Sequence, residues 1–281
     1  DAGKKINDRL PDSRTILTYK PTKRKGVNFV WPKDPESPSD TELDLQQVKD
    51  LSAPPTDGVY DYALGKLRLE FLRGDNSNEG NTSGKFRKRS SDLGDIVNSS
   101  PIYVGAPSTR YSDTMESEKY SDFRKKVRSA IIYVGANDGM LHGFDTNGIE
   151  QVAYVPSPVY PNLRLLTQQD YKTQGDGDAL HHFYVDGGLH VGDAFFDTEW
   201  HSVLIGRLGA GGQGVFALNI SDPDVFDTDT ETVLWEFTDT DDVDLGYTFG
   251  RSWIAKTNTT AGTWVAIFGN GYNSNEQSNE L

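Results

Sequence analysis

The sequence predicts an all-β protein, and its repeated pattern favours a β-propeller with loop and short helical insertions. Ala130–Pro156 contains three short apolar runs, the first two joined by the turn Asn137–Gly139. Asn, Asp and Gly tolerate the positive φ that a tight hairpin requires, so these runs are expected to be antiparallel strands. Strands that end in glycine recur at Gly135, Gly206 and Gly269. Repeats of this kind indicate stacked blades, because one blade cannot bury both of its faces alone.

The recurrence extends beyond these glycines. After Gly135 and Gly206 come a Gly-containing turn, an apolar strand that closes with Asp145 or Asn219, and a further strand. The strands expected in the second unit are Trp200–Gly206, Val215–Ile220 and Val233–Phe237. Ile102–Gly105 is expected to be a weaker copy of the glycine-ending strand. A β-sandwich would account for the individual strands but not for their repeated order.

The segments before and between these strands predict a hairpin and three insertions. Arg14–Tyr19 and Gly26–Val30 are β-prone runs joined by a basic turn. The Pro-, Asp- and Ser-rich insertion 31–56 is expected to hold a short helix with Asp40 as its N-cap. Within the insertion 58–84, apolar steps of three and four residues predict a helix over Gly58–Leu72, ended by Gly74. The charged insertion 108–128 is expected to form a short helix around Ser121–Arg128.

Composition limits the classes of function. The chain has 281 residues with a formal net charge of −14, which disfavours binding to nucleic acid or to anionic lipid. It has no cysteine, so disulfides, thiolate zinc sites and a thiol nucleophile are excluded. No apolar run reaches transmembrane length, and no signal peptide is recognisable. We expect one propeller domain, or a fragment of one, over residues 1–281, cut from a longer protein.

Carboxylates are dense at Asp239, Asp241, Asp242 and Asp244, which makes 239–244 the best candidate for a calcium site. Calcium requires several oxygen ligands from one tight loop. This run lacks the alternating Asp spacing around a central Gly that such loops use, and so do the acidic runs at 175–178 and 222–229. A solvated acidic loop between strands is the competing interpretation.

Three other motifs are explained without chemistry. His181 and His182 are adjacent, so in an extended chain they would point to opposite faces and could not share a zinc ion. The glycine-rich run 209–214 resembles a phosphate loop, but it lies between two strands and does not open a helix. The tripeptide 73–75 spells Arg-Gly-Asp, a sequence that some receptors bind, but a helix-ending glycine between charged residues accounts for it.

The order of several long motifs resembles the C-terminal propeller domain of the PilY1 family of type IV pilus biogenesis factors, called PilC in neisseriae. The motifs are F-R-K-R-S-S-D-L-G-D-I-V-N-S-S-P-I-Y-V-G (86–105), I-Y-V-G-A-N-D-G-M-L-H-G-F-D (132–145), W-H-S-V-L-I-G-R-L-G-A-G-G-Q-G-V-F-A-L-N-I-S-D-P (200–223) and W-V-A-I-F-G-N-G-Y-N-S (264–274). Shorter matches extend the resemblance over most of 58–274. The long 200–223 segment is the specific one.

The resemblance implies a modified seven-bladed propeller, distantly similar to quinoprotein dehydrogenases, of which this chain would be the N-terminal, incomplete part. It implies a place at the pilus tip or in the cell envelope of a Gram-negative bacterium. Roles in pilus assembly, in opposing retraction and in adhesion follow from it, as do minor pilins or a host or surface ligand as partners. It also implies a calcium loop that follows the G-N-G-Y-N-S motif and would lie beyond Leu281.

These observations together predict a non-enzymatic module of a type IV pilus tip or adhesin. Loops on a rigid scaffold carry recognition, so the contact surface is expected on the insertions 31–56, 75–84 and 108–128. The alternative from another class is a quinone-dependent oxidoreductase, although the ring of polar ligands and the catalytic Asp that it needs cannot be assembled here. A third interpretation is a structural assembly factor without a host ligand.

Overall fold

The structure is a computed structural model that describes residues 1–54, 58–82, 84–171, 181–226, 230–259 and 262–274. Within these ranges the strands are β1 Ile16–Lys20, β2 Lys25–Asn28, β3 Ile102–Val104, β4 Ile131–Gly135, β5 Leu141–Asp145, β6 Glu150–Val155, β7 Leu189–Phe196, β8 Glu199–Arg207, β9 Gly214–Asn219, β10 Val233–Thr238, β11 Trp253–Lys256 and β12 Trp264–Ile267. The helices are α1 Ala2–Asn7, α2 Leu45–Ser52, α3 Tyr62–Arg73, α4 Tyr120–Phe123 and α5 Tyr160–Leu163. None of these helices has the length and apolar character needed to cross a membrane.

The strands form two four-stranded antiparallel meanders and the first hairpin of a third sheet. The first sheet has the order β2-β1-β6-β5-β4-β3, the second β10-β9-β8-β7, and the third β11-β12. The predicted N-terminal hairpin is confirmed, since β1 and β2 are antiparallel from Leu17–Asn28 to Lys20–Lys25. It joins the first meander through a parallel pairing of β1 with β6. Successive meanders of this kind are propeller blades, which confirms the predicted fold class; the seven-blade count stays a prediction.

The position of the glycine-ending strand within each unit differs from the prediction. The strands β4, β8 and β12 are each the second strand of their meander or hairpin in chain order, because β3, β7 and β11 precede them. The expectation that Ile102–Gly105 copies the glycine-ending strand was therefore wrong: it supplies β3, which pairs with β4 itself. The predicted strand piece from Phe183 is irregular backbone, and β11 was not predicted.

Close packing explains two of the three recurrent glycines. A Cβ added at Gly135 would lie 2.1 Å from the Val185 carbonyl oxygen, and one at Gly206 would lie 2.1 Å from the Phe216 ring. At Gly269 no atom of the described residues lies within 4 Å of an added Cβ. The repeat therefore has a packing cause in the first two sheets that the third sheet does not share.

The insertions 31–56 and 58–84 contribute helices to the main core. Leu43, Val48, Leu51 and Leu69 are fully buried there with strands of both large sheets. Burying a side chain of this size stabilises the fold by roughly 1.5–3 kcal/mol. These insertions are thus structural parts of the propeller, and only their outer faces are available for contacts.

Helix α2 begins later than predicted. Its N-cap is Asp44, whose backbone N–H donates to the Gln47 side chain at 2.7 Å. Asp40, the predicted cap, instead forms an exposed ion pair with Lys23 at 3.0 Å. The helix cannot start at Asp40 because the Lys20 ammonium, 3% exposed, donates to the carbonyls of residues 39, 42 and 43.

The other helix predictions have mixed outcomes. Helix α3 is confirmed, with the Asp61 carboxylate accepting from Leu64 N–H at its start and Gly74 at φ 107° after its end. Glycine adopts this left-handed conformation without the steric cost of a Cβ. Helix α4 is a single turn, shorter than the helix predicted around Ser121–Arg128, and it is followed by turn and irregular backbone over 124–130.

Candidate functional site

The insertion 108–128 is anchored by an aromatic cluster that spans the second and third sheets. Tyr111 stacks on Trp200 with ring centroids 5.3 Å apart, and it meets Tyr120 and Trp264 edge-on at 5.1 and 5.2 Å. Tyr120 and Trp200 are almost entirely buried. Aromatic pairs in these geometries add about 0.5–1.5 kcal/mol each beyond the area that they bury.

Two glutamates of this insertion fix its position further. The Trp200 indole N–H donates to the Glu118 carbonyl at 2.9 Å, and the Trp200 backbone N–H donates to the Glu118 carboxylate at 3.0 Å. Glu116 accepts from the Trp264 indole at 2.7 Å and pairs with Lys256 at 2.6 Å. The insertion is therefore held rigidly although it is irregular over most of its length.

The far end of the insertion is exposed and basic. Arg124, Lys125 and Lys126 are exposed and are followed by Val127, whose side chain is 97% exposed. Beside it lies a cavity of about 530 Å³ between the insertion and the second sheet, lined in part by Trp200. A cationic end with an exposed apolar residue contrasts with the net charge of −14 of the whole chain.

The four calcium candidates remain a prediction. They follow β10 directly, and polar contacts engage Asp241 and Asp242: the Asp241 carboxylate accepts from Thr238 N–H at 3.0 Å and pairs with Arg24 at 3.0 Å, and the Asp242 carboxylate accepts from Asp244 N–H at 3.1 Å. Asp239 and Asp241 line a cavity of about 450 Å³. In the part of the chain that the structure describes, no three His, Asp or Glu side chains are grouped so as to hold a metal ion. The run 175–178 and part of 222–229 lie outside the described residues.

The structure places the Arg-Gly-Asp tripeptide where it cannot be presented as a free loop. Arg73 is 5% exposed, and its guanidinium donates to the carbonyls of Phe29, Pro11 and Arg14. Gly74 ends α3, and Asp75 closes a local turn by accepting from Ser77 N–H. The structural interpretation of this motif accounts for all three residues.

Contacts and packing also account for the adjacent histidines and for the glycine-rich run. His181 Nε2 lies 2.8 Å from the Asp95 carboxylate, whereas the backbone N–H of His182 donates to the Tyr171 hydroxyl. The run 209–214 is a tight connection between β8 and β9, and a Cβ at Gly211 would lie 1.7 Å from the Tyr184 carbonyl oxygen. The glycines of this run therefore serve close packing against the chain before β7.

A buried charge network in the first sheet was missed at the sequence level. The Glu150 carboxylate accepts from the Arg14 guanidinium at 2.7 and 2.9 Å and from His142 Nδ1 at 2.7 Å. His142 Nε2 lies 3.1 Å from the Asp138 carboxylate. Glu150 and His142 are 2% and 1% exposed. His142 lies inside a predicted strand and Glu150 directly before the next one, and these positions beside apolar residues were the available signal, since buried charges are paired.

The network settles the charge state of its members. Burial opposes the cation at His142, but Asp138 and Glu150 outweigh it and raise the pKa of His142 to about 9. Burial likewise opposes ionisation of Glu150, but Arg14 and His142 hold the pKa of that carboxyl well below its ordinary range. Arg14, His142 and Glu150 are therefore charged at neutral pH. They serve as a cross-link between the N-terminal hairpin and the first meander.

The fold and these contacts define a β-propeller scaffold with rigidly anchored insertions. The model of the PilY1 beta-propeller domain matches residues 93–280. The type IV pilus biogenesis factor PilY1 of Pseudomonas aeruginosa strain PAK is 44% identical over 237 residues, 83% of this chain and 19% of that protein. The factor of strain UCBPP-PA14 is 38% identical over 100% of this chain and 23% of that protein. The chain belongs to the PilY1 β-propeller family.

Two further similarities complete the comparison. A PilY1 homolog of Xylella fastidiosa strain Temecula1 is 43% identical over 76% of this chain and 17% of that protein. The crystal structure of the Pseudomonas aeruginosa PilY1 C-terminal domain has a TM-score of 0.48 and 39% identity, over 62% of this chain and 32% of that one. The chain spans about a fifth of the length of the curated relatives that it matches.

Proposed function

We propose that this chain is a non-catalytic contact module in type IV pilus biogenesis, placed in the cell envelope or at the pilus tip of a Gram-negative bacterium. Membership of a family whose curated relatives are named as type IV pilus biogenesis factors is the observation that carries this proposal. A non-catalytic role is supported by the first sheet, since the buried Arg14, His142 and Glu150 pair with one another as a cross-link.

We further propose that the exposed end of the insertion 108–128 is the contact surface for minor pilins. Arg124 and Lys126 would meet an acidic surface, and Val127 would become buried against it. The aromatic anchor supports this assignment, because a contact held by buried rings is preorganised and loses little conformational entropy on binding. Promotion of assembly, opposition to retraction and attachment to a surface are the activities that such a contact would serve.

The test replaces Arg124 and Lys126 together by Glu in the bacterium that carries the protein, with protein levels measured in parallel. If the surface contacts pilins, surface pili become fewer, twitching is lost, and pull-down of purified minor pilins fails. If it serves attachment alone, pilus number is normal and only surface binding falls. The matched control reverses the exposed Lys25 and Lys88, which lie elsewhere on the surface. Normal pili, pull-down and attachment at a normal protein level would reject this contact surface.

A further inference from the structure

Arg207, the last residue of β8, is a buried cation without a complete set of partners. The residue is 3% exposed, and within the described part of the chain its Nη1 has no hydrogen-bond partner. The one hydrogen bond that its guanidinium makes to a described residue is long, from Nε to the Gly188 carbonyl at 3.3 Å. Arg73, which is also buried, donates instead to three carbonyls, and Arg14 has a carboxylate at 2.7 Å.

Among the residues that the structure describes, no counter-ion offsets the burial of Arg207. Burial lowers the pKa of this guanidinium, and none of the described carboxylates acts in the opposite direction. A buried ion that is neither paired nor fully hydrogen-bonded costs several kcal/mol. A protein keeps such a group where an anion from elsewhere completes it.

The space around the guanidinium is made by glycines. A Cβ at Gly188 would lie 2.7 Å from Nη2, and one at Gly250 would lie 3.8 Å from Nη1. Gly250 is exposed and has φ 93°, so the cover over Nη1 is a stretch of surface backbone without a side chain. A small movement of this stretch would open Nη1 to a ligand.

A second unpartnered group lies on the same stretch of chain. Ser252 is 1% exposed, follows Gly250 by two positions, and its hydroxyl has no hydrogen-bond partner. At the start of β7, burial and the charge of Arg207 both lower the pKa of His190. Two buried donors without acceptors therefore belong to segments that meet where β7, β8 and β11 begin or end.

We propose that Arg207 and Ser252 form a binding site for a carboxylate. The planar fork of a guanidinium matches the two oxygens of a carboxylate, and a serine hydroxyl can add a third donor. The carboxylate would come either from a free small acid or from the acidic side chain of a polypeptide. The site is independent of the contact surface proposed on 108–128.

The test measures thermal unfolding of the 281-residue chain while sodium formate replaces sodium chloride at constant ionic strength. A ligand that binds only the folded state raises the midpoint in proportion to the logarithm of its concentration at saturation. We expect this rise in the wild type and in Arg251→Met, the exposed neighbouring control, a smaller rise in Ser252→Ala, and none in Arg207→Met. An equal rise in wild type and Arg207→Met, or no rise in the wild type, overturns the proposal.

A second measurement keeps the test decisive if Arg207→Met does not fold. Nitrogen-15 NMR of the wild-type Arg207 side chain should show a saturable shift of its Nε–H signal with formate, whereas an unchanged signal overturns the proposal. N-acetylglutamic acid α-amide, which carries the carboxylate of a polypeptide side chain, distinguishes the sources. A larger midpoint shift with this probe than with formate and acetate indicates a polypeptide ligand, and the reverse order indicates a free acid.

Discussion

The first and second sheets have the same meander but treat buried charge in opposite ways. In the first, Arg14, His142 and Glu150 neutralise one another within hydrogen-bond distance. In the second, no cation among the described residues pairs with the buried Glu236, and no described carboxylate pairs with the buried Arg207. Strand topology therefore does not determine where charge is placed. In the first sheet the buried charges are paired with one another. In the second sheet the contribution of the buried charges to stability depends on pH or on a bound partner.

Replacing Glu150, the centre of the first-sheet network, should lower the free energy of unfolding more than any other change in this series. Glu150→Gln leaves Arg14 and His142 buried without their shared carboxylate, and breaking a buried pair in this way costs about 3–5 kcal/mol. Urea unfolding should show this loss at neutral pH. The exposed Glu199→Gln serves as control and should change the free energy of unfolding by less than about 0.5 kcal/mol. Equal stability of the two variants would mean that the network does not cross-link the hairpin.

The buried Glu236 of the second sheet should make the free energy of unfolding depend on pH. Glu236 accepts hydrogen bonds from the Tyr154 and Ser157 hydroxyls and from Ser157 N–H, yet burial dominates and raises its pKa to about 7. An unfolded Glu has a pKa of about 4.3, so between these values the folded chain retains a proton that the unfolded chain has lost. The free energy of unfolding should therefore fall by up to about 3 kcal/mol as pH rises from about 4 to about 7.

Glu236→Gln should remove that decline, because a neutral amide does not titrate. The measurement is urea unfolding across this pH range, with Glu199→Gln as the variant that should keep the wild-type slope. The difference between the two profiles isolates Glu236 from His142, whose stabilising charge is present below its unfolded pKa and is lost only as pH approaches about 9. Parallel profiles for wild type and Glu236→Gln would contradict the assignment.

The smallest effect in this series concerns the recurrent glycines. Gly135→Ala forces a methyl group against the Val185 carbonyl and should destabilise the chain by about 1–3 kcal/mol, the usual range for overpacking. Gly269→Ala meets open space and should be close to neutral. Thermal unfolding of the two variants side by side checks this, and equal losses would show that the glycines share a backbone requirement instead of a packing one.

The sequence was sufficient for features that depend on neighbouring residues. Apolar runs located β4, β5 and β6, and Gly74 correctly ended α3, because strand burial and helix termination are local. It was insufficient where partners lie far apart: Arg14 and Glu150 are separated by 136 positions. Strand β11 was missed because its exposed Trp253 and its lysine give no clear alternation. Arg207 looked like an ordinary residue at a strand end, since its lack of a partner exists only in three dimensions.

The parallel pairing of β1 with β6 also sets an order of folding. Thr18 reaches the Val155 carbonyl across 137 positions, so the outer edge of the first sheet closes only after the whole β3–β6 meander is present. Long-range pairing of this kind slows folding, and an uncovered strand edge invites pairing with other chains. Until β1 pairs with it, the β6 edge is therefore uncovered, and the N-terminal hairpin is its built-in cover.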